Sequence, residues 1–455
     1  MHDLSRTVSS NEILKQIEDL FPQGTYLVGG CIRDMLLGRV PLDFDLVTYA
    51  PVADLAGRIA GRLGARPFWM DERRGVIRIA LKSSGASIDI SEPKGLSIEE
   101  DLRSRDLTIN AMAYDIAHRR FIDPLGGFHD LSCGTIRIVS EENLLNDPLR
   151  GLRAVRFSVT LDFAMHEESS RMIKQHARRL KGVSGERIRQ EILQALRTVH
   201  GADFLRLLTW NALVPVLFAP YFPEQDHGGD HQHALLLSVI PACQELDGII
   251  YACDALMPGC LSSLTEETES RVQRGALLRL ASFLLGLEGL RSGHLQSRES
   301  EISARDRSME GRAMDLCSSL RFSTRSARTI RSLLAREKRT REFLAQRNPS
   351  VLDIHRFCEN TAQQLPETLL LSLSRVQTQE SFPRQTVARI WEYYCTTYQE
   401  HKKNPLVSGS DVAGVLGGGA GPEVGKWLRT IEEARARGEV RTRGEAMDFL
   451  RSKIG

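Results

Sequence analysis

Aromatic residues are scarce, 6% of a chain of 455 residues, so extensive stacking of bases on exposed rings is not expected. Neither sign of charge dominates: 60 Lys and Arg oppose 58 Asp and Glu, a formal net charge of +2. That balance excludes a supercharged protein, but local fields depend on where charges lie rather than on their sum. Long apolar runs are missing too. The best, ALLRLASFLLGLEGL at 276–290, is interrupted by Arg279 and Glu288 and is too short to span a bilayer. The first residues lack the apolar stretch of a signal peptide, and no membrane association is expected. Eight cysteines are scattered, with Cys253 and Cys260 the nearest pair and no CxxC. Neither a structural zinc site nor a disulfide framework is expected, and the chain reads as cytoplasmic with reduced thiols. Hydrophobic residues make up 42%, enough for sizeable cores without such staples.

The β signals lie early. TYLVGG (25–30) is a short apolar run ending in a glycine pair, and CIRDMLLG (31–38) has helical spacing with a glycine stop. DFDLVTY (43–49), GVIRIALK (75–82) and ASIDIS (86–91) alternate apolar and polar residues, with a helical ADLAGRIAGRLG (53–64) between them. The expectation is a small mixed sheet to about residue 140 with helices on one side. From about 147 the period becomes helical, with segments at 147–158, 166–181, 185–198, 204–210, 231–244, 271–289, 309–319, 326–346, 352–359, 364–375 and 385–398. Segment 292–308 reads as a solvated loop or polar helix start. GGGAGP near 420 reads as a linker or a tight turn between two helices.

The chemistry concentrates in Gly29, Gly30, Arg33 and Asp34, followed by Asp43-Phe44-Asp45. On a strand, residues two apart face the same way, so Asp43 and Asp45 present paired carboxylates. Like charges that close need a cation between them, and oxygen donors at this spacing suit Mg²⁺ held together with substrate phosphates. Asp89, on a neighbouring strand, is a candidate third carboxylate. A glycine pair before a helix permits close approach to a phosphate.

Segment 25–47 resembles the nucleotidyltransferase head shared by bacterial tRNA CCA-adding enzymes and poly(A) polymerases, class II. Four further blocks are similar to family blocks in order: DLRSRDLTINAMAYD (101–115), FIDPLGGFHDLSCGTIRIV (121–139), NDPLRGLRAVRF (146–157) and SGERIRQE (184–191). Segment 406–446 is similar to the C-terminal part of many bacterial members. The resemblance implies an α+β head over 1–140, a helical nucleotide-selecting neck over 141–205, a helical body over 206–380 with a degenerate HD-like region, and a helical RNA-binding tail over 381–455. It implies template-independent transfer of CMP or AMP from CTP or ATP to the 3′-hydroxyl of tRNA or another RNA, releasing pyrophosphate. Two Mg²⁺ ions would be held by Asp43 and Asp45, and no obligate protein partner is implied. Gly29, Gly30 and Arg33 fall on the triphosphate side, with Asp34 holding Arg33. Arg105 and Asn110, expected on one helix with Asp106, approach the ribose and phosphates. Asp147 and Arg150 read the base edge, and Arg153 is the next candidate on that helix. Asp123, Gly126, Gly127 and Asp130 are expected to shape a turn.

Four departures from the family pattern stand out. Ser104 replaces the first Arg of the RRD block, and Asn146 replaces the Glu of EDxxR, removing a charge expected to organise Arg150. Only 15 residues separate Asp89 from Arg105, where many complete CCA-adding members carry a longer flexible loop. Complete CCA addition, CC or A addition alone, and poly(A) synthesis therefore all stay open, as does a catalytically inactive RNA binder. Leu285 and Gly286 stand where relatives carry a His-Asp pair, so a second hydrolytic activity is not expected. Asp226, His227, His231 and His233 have metal-ligand character but lack that pair. Segment 325–347 holds eight Arg or Lys against two acids, and 172–189 is also basic. Both suit sequence-independent contact with RNA phosphates.

Overall fold

The computed structural model describes residues 2–198, 200–222, 236–269, 271–296, 308–376, 382–418 and 421–454. The chain forms two compact units. One comprises Met1–Ala195 with Leu207–Leu217, the other Leu196–Arg206 with Phe218–Gly455.

In the first unit, α1 (His2–Ser10) and α2 (Glu12–Ile17) precede the sheet, and Asn11 caps α2 by accepting from the N–H groups of Ile13 and Leu14. The sheet has seven strands: β1 (Thr25–Val28), β2 (Asp43–Thr48), β3 (Pro67–Asp71), β4 (Val76–Leu81), β5 (Ala86–Ser91), β6 (Ala113–Asp115) and β7 (Arg120–Ile122). Their order is β3-β4-β5-β2-β1-β6-β7, antiparallel throughout except for the parallel pair β2 and β5. Alternation decides the faces. Phe44 and Leu46, Ile88 and Ile90, and Ile77 and Ile79 are buried on strands among which α4 (Val52–Arg62) packs β3, β4 and β5, burying its own Leu55, Ala56 and Ile59. The intervening residues, Asp43, Asp45, Ser87, Asp89 and Arg78, take the other face. Beyond β1, the helix α3 (Gly30–Leu36) leads back toward β2.

The helix α5 (Ile98–Arg103) begins at Ser97, whose hydroxyl accepts from the Glu100 N–H. It does not continue through Asn110 as the sequence suggested. Leu107 is extended and bridges Ile138, and Thr108–Asn110 make a single 3-10 turn. The Asp106 carboxylate accepts the Leu107 N–H at 2.8 Å, a local bond that competes with helical pairing. At α6 (Gly127–Ser132), Asp123 accepts from the N–H groups of Gly127 and Phe128 at 2.8 and 2.9 Å. Gly126 there is left-handed, and a β-carbon on Gly127 would overlap the Thr108 carbonyl oxygen. Then come α7 (Glu141–Asn146), α8 (Leu149–Leu161), α9 (Glu167–His176) and α10 (Gly185–Leu196).

The second unit is helical apart from a small hairpin, Glu267–Glu269 with Val272–Gln273. Helices Arg274–Gln296, Thr324–Leu344 and Leu365–Leu373 pack on one another, burying Leu284, Leu333 and Leu369. Of the helix expected at 231–244, residues 231–235 lie outside the described residues; 236–238 are helical, and a helix follows at Ile240–Tyr251. Leu285 and Gly286 fall on the helix Arg274–Gln296, where a β-carbon on Gly286 would overlap the Val239 side chain. Asp226, His227, His231 and His233, and residues 297–307, lie outside the described residues. At the end, Gly409–Leu416, Pro422–Ala436 and Arg443–Ile454 bury Val412, Ile431 and Leu450 together. Ser408 and Asp411 form a capping box on the first of these, and Gly417 ends it in the left-handed region. The fold is thus an α+β head followed by helices. Among the described residues no helix is long and apolar enough to cross a membrane, and all eight cysteines are free.

Candidate active site

Register sets the carboxylates. In the β2–β5 pair Asp43 faces Ser87 and Asp45 faces Asp89, and in the β4–β5 pair Asp89 faces Arg78. Asp43 is exposed and accepts from the Ser87 hydroxyl at 2.6 Å. Asp89 is committed elsewhere: Arg78 donates to both its oxygens, Nε and Nη2 each at 2.6 Å. The hydrogen bonds to Asp89 raise the Arg78 pKa further. Asp89 thus shares the face of Asp43 and Asp45 but serves as the anchor of an arginine, which changes its reading as a third free carboxylate.

Asp45 is different. Among the described residues nothing hydrogen-bonds to its carboxylate. Burial pushes its pKa above the usual carboxylate range; Asp89 and Asp43 push the same way, while Arg105 opposes them. An ionisable pair at i and i+2 with one unpartnered member fits a divalent cation. No group of three or more His, Cys, Asp or Glu among the described residues is placed to hold a metal alone. That sparse donor set suits Mg²⁺, which keeps waters and takes substrate phosphate oxygens.

Gly29 adjoins Asp45 at φ 77°, ψ −135°. A β-carbon there would lie 2.7 Å from Arg105 Nη1 and 3.3 Å from Asp45 Oδ2, so both the conformation and the space require glycine. Gly30 begins α3, and the cations beside this turn are Arg33 and Arg105. Arg33 is buried and fixed on three sides. It donates from Nε and Nη2 to Asp34 Oδ1 at 2.9 and 2.8 Å, and from Nη1 to Asn110 Oδ1 at 2.7 Å. Its guanidinium also lies 4.8 Å from the centre of the Phe157 ring. Arg105 donates from Nε and Nη2 to Asp101 Oδ2 at 3.0 and 2.9 Å, leaving Nη1 toward Gly29.

The RD block and α8 interlock. Asn110 donates to Asp106 Oδ1 at 3.2 Å, and Arg153 Nη1 sits 3.0 Å from Asp106 Oδ2. Burial pushes Asp106 upward, but Arg153, Asn110 and the Leu107 N–H hold it below the usual range. Arg150 Nη1 donates to the carbonyl of Arg105 at 2.6 Å, and Asn143 donates to the same carbonyl at 2.9 Å. Asp147, between α7 and α8, accepts from Arg187 of α10 at 2.7 Å. Glu191 pairs with Arg156 at 2.6 Å and with Arg153 at 3.5 Å. The arginines at 150, 153 and 156 are therefore a bonded lattice, not a solvated stripe. Asn146 is exposed, and no hydrogen bond joins it to Arg150, so the expected weakening of Arg150 by this substitution has no bond behind it.

Sequence reasoning missed Arg78, Lys94, Asp101, Arg187 and Glu191. Asp101 stood four residues before Arg105, a spacing that signals pairing; Arg187 and Glu191 share that spacing but pair instead with Asp147 and with Arg156 and Arg153. Burial, with Arg150 nearby, lowers the pKa of Lys94.

Residues 25–137 match the family model "Poly A polymerase head domain" and residues 162–227 "Probable RNA and SrmB- binding site of polymerase A". A CC-adding tRNA nucleotidyltransferase of Geobacter sulfurreducens is 31% identical over 433 residues, covering 94% of this chain and 92% of the relative. An A-adding tRNA nucleotidyltransferase of Deinococcus radiodurans is 30% identical, covering 94% and 95%. The Thermotoga maritima CCA-adding enzyme complexed with tRNA shares the fold at TM-score 0.67 and 22% identity, covering 100% of this chain and 99% of that one. Likeness at 30% identity or better over nearly the full length of both chains carries the conclusion: this chain belongs to the bacterial tRNA nucleotidyltransferase and poly(A) polymerase family and is an RNA nucleotidyltransferase.

Proposed function

We propose that the chain transfers CMP from CTP to the 3′-hydroxyl of tRNA and stops after the two cytidines of the CCA end. The observation that favours addition of one kind of base over complete CCA addition is the connection from β5 to α5. It is short and bonded to itself: Lys94 N–H donates to Asp101 at 3.0 Å and Leu96 N–H to Glu100 at 2.7 Å. A segment tied down over so few residues has little length with which to rearrange the site for a different base. Relatives from Geobacter sulfurreducens, Synechocystis and Thermus thermophilus described as CC-adding support the same reading.

In this reading Asp43 and Asp45 would hold two Mg²⁺ ions, which would supply activation of the attacking hydroxyl and neutralisation of charge on the pyrophosphate. The chain's own groups do the rest. Arg105 Nη1, without a hydrogen-bond partner among the described residues and beside Gly29, donates to the triphosphate, while Asp101 fixes its plane. Arg33 is held by Asp34, Asn110 and Phe157 and keeps the floor of the site rigid. Asp147, steadied by Arg187, accepts from the exocyclic amino group of cytosine, and Arg150 donates to a ring nitrogen or carbonyl. On the second unit, Arg325, Arg328 and Arg331 are exposed at a three-residue spacing, without ion-pair partners among the described residues, and suit RNA phosphates. A cytoplasmic place of action fits this substrate.

Purified protein with Mg²⁺ is given CTP, ATP or both, and tRNA transcripts ending before CCA or after CC. Two cytidines on the first transcript and no adenosine on the second are expected. Adenosine added after CC sinks the CC reading, and no incorporation from any nucleotide sinks transfer to tRNA.

A further inference from the structure

The face that carries the carboxylates continues to the edge of the sheet. Asp45, Asp89, Arg78 and Phe68 are successive register partners on β2, β5, β4 and β3. Directly opposed residues share a face, so all four rise from the same side. Three inter-strand spacings put Phe68 about 14 Å from Asp45. β3 is an edge strand, and Phe68 on it is 49% exposed. In the next row, Ala80 opposes Ser87, two small residues that leave the surface between carboxylates and ring low. Arg78 gives Nε and Nη2 to Asp89, while Nη1 has no partner among the described residues.

A large apolar ring on an exposed edge invites unwanted pairing and is usually blunted. Here a guanidinium stands between it and the metal-binding carboxylates. We propose that Phe68 and Arg78 form a subsite for the unpaired nucleotides at the 3′ end of the acceptor RNA, Phe68 stacking on a base and Arg78 Nη1 binding the adjoining phosphate. The inference rests on the transferase reading above. With the terminal hydroxyl at Asp43 and Asp45, the preceding nucleotides run outward along this row, and about 14 Å accommodates a few of them at the ~3.4 Å rise of a stacked strand. Charge matches: the arginine meets the phosphate, and its pairing with Asp89 fixes its plane in advance. Stacking is sequence-tolerant because every base has a π-face. That suits an acceptor whose terminal base changes with each addition.

The test pairs steady-state transfer with direct binding of an acceptor carrying 2-aminopurine in its unpaired 3′ end. Phe68→Ala is expected to raise the acceptor KM by about tenfold, leave the CTP KM within about twofold, and abolish the wild-type change in fluorescence. Phe68→Trp should restore both, and Arg78→Ala should also raise the acceptor KM while lowering kcat, because it frees Asp89 beside Asp45. An acceptor KM within about twofold of wild type in Phe68→Ala overturns the subsite, whatever the fold stability. A Phe68-dependent fluorescence change in a protein that transfers neither nucleotide would refute the transferase reading and leave the subsite standing. A Phe68→Ala effect confined to oligomeric state would assign this edge to a second copy of the chain and overturn the proposal.

Discussion

Arg150 is tied to the main chain of Arg105, Nη1 to carbonyl oxygen at 2.6 Å. The side chain assigned to the base is thus positioned by the backbone of the residue assigned to the phosphates. Base choice and triphosphate placement share one fixed point. Arg150→Lys is expected to behave almost like Arg150→Ala, since one ammonium cannot reproduce a guanidinium that anchors with one arm and reads with another. Both should lower kcat/KM for CTP by roughly 10- to 100-fold, measured on a tRNA transcript lacking CCA. Near-wild-type activity in the lysine variant would break this link.

Gly29→Ala should be more damaging than its size suggests. The backbone there is in a region that only glycine enters freely, and the new carbon meets Arg105 Nη1 at 2.7 Å. Strain of about 1–3 kcal/mol should lower Tm by roughly 2–8 °C, and displacement of Arg105 should lower kcat. A thermal melt with a CTP titration checks both.

Asp45→Asn is expected to abolish transfer and, in chelator, to melt at a higher temperature than wild type at neutral pH. Burial holds the Asp45 pKa above its ordinary value, so the fold favours the protonated form. The wild-type penalty is absent below the ordinary carboxylate pKa and grows as pH rises through the elevated one. The Tm difference should therefore shrink on acidification. A difference that is constant with pH would remove this cause.

Asn146→Glu should leave both the rate and the choice of CTP over ATP unchanged to within about twofold, since the exposed side chain makes no bond with Arg150. Competition between the two nucleotides measures it.

Replacing Arg325, Arg328 and Arg331 together by Gln should flatten the dependence of log K on log salt for tRNA binding by roughly 2–3. The CTP KM should not move.

Much of the head was legible. β2, β4 and β5 announce themselves by alternation, β1 by its apolar run before a glycine pair, and Asp43 and Asp45 by their spacing. β6 and β7 have three residues each, too few to show a period, and β3 opens on a proline with its side chains exposed, so no buried stripe marks it. The RD block carried a helical pattern, but the Asp106 carboxylate captures the next N–H and stops it. Arg78 escaped notice because its meaning comes from Asp89, eleven residues on and adjacent only through the β4–β5 register. The ion pairs of Arg153 and Arg156 could not be read from the sequence because their partners, Asp106 and Glu191, lie more than thirty residues away.

The packing of Val239 against Gly286 closes this stretch of helix to any larger side chain. A β-carbon at 286 would overlap Val239 Cγ1, so no side chain bigger than a hydrogen fits there unless Val239 moves. Gly286→Asp alone would therefore force a clash rather than build a metal site: shape, and not only the missing ligand, excludes an acid at this place.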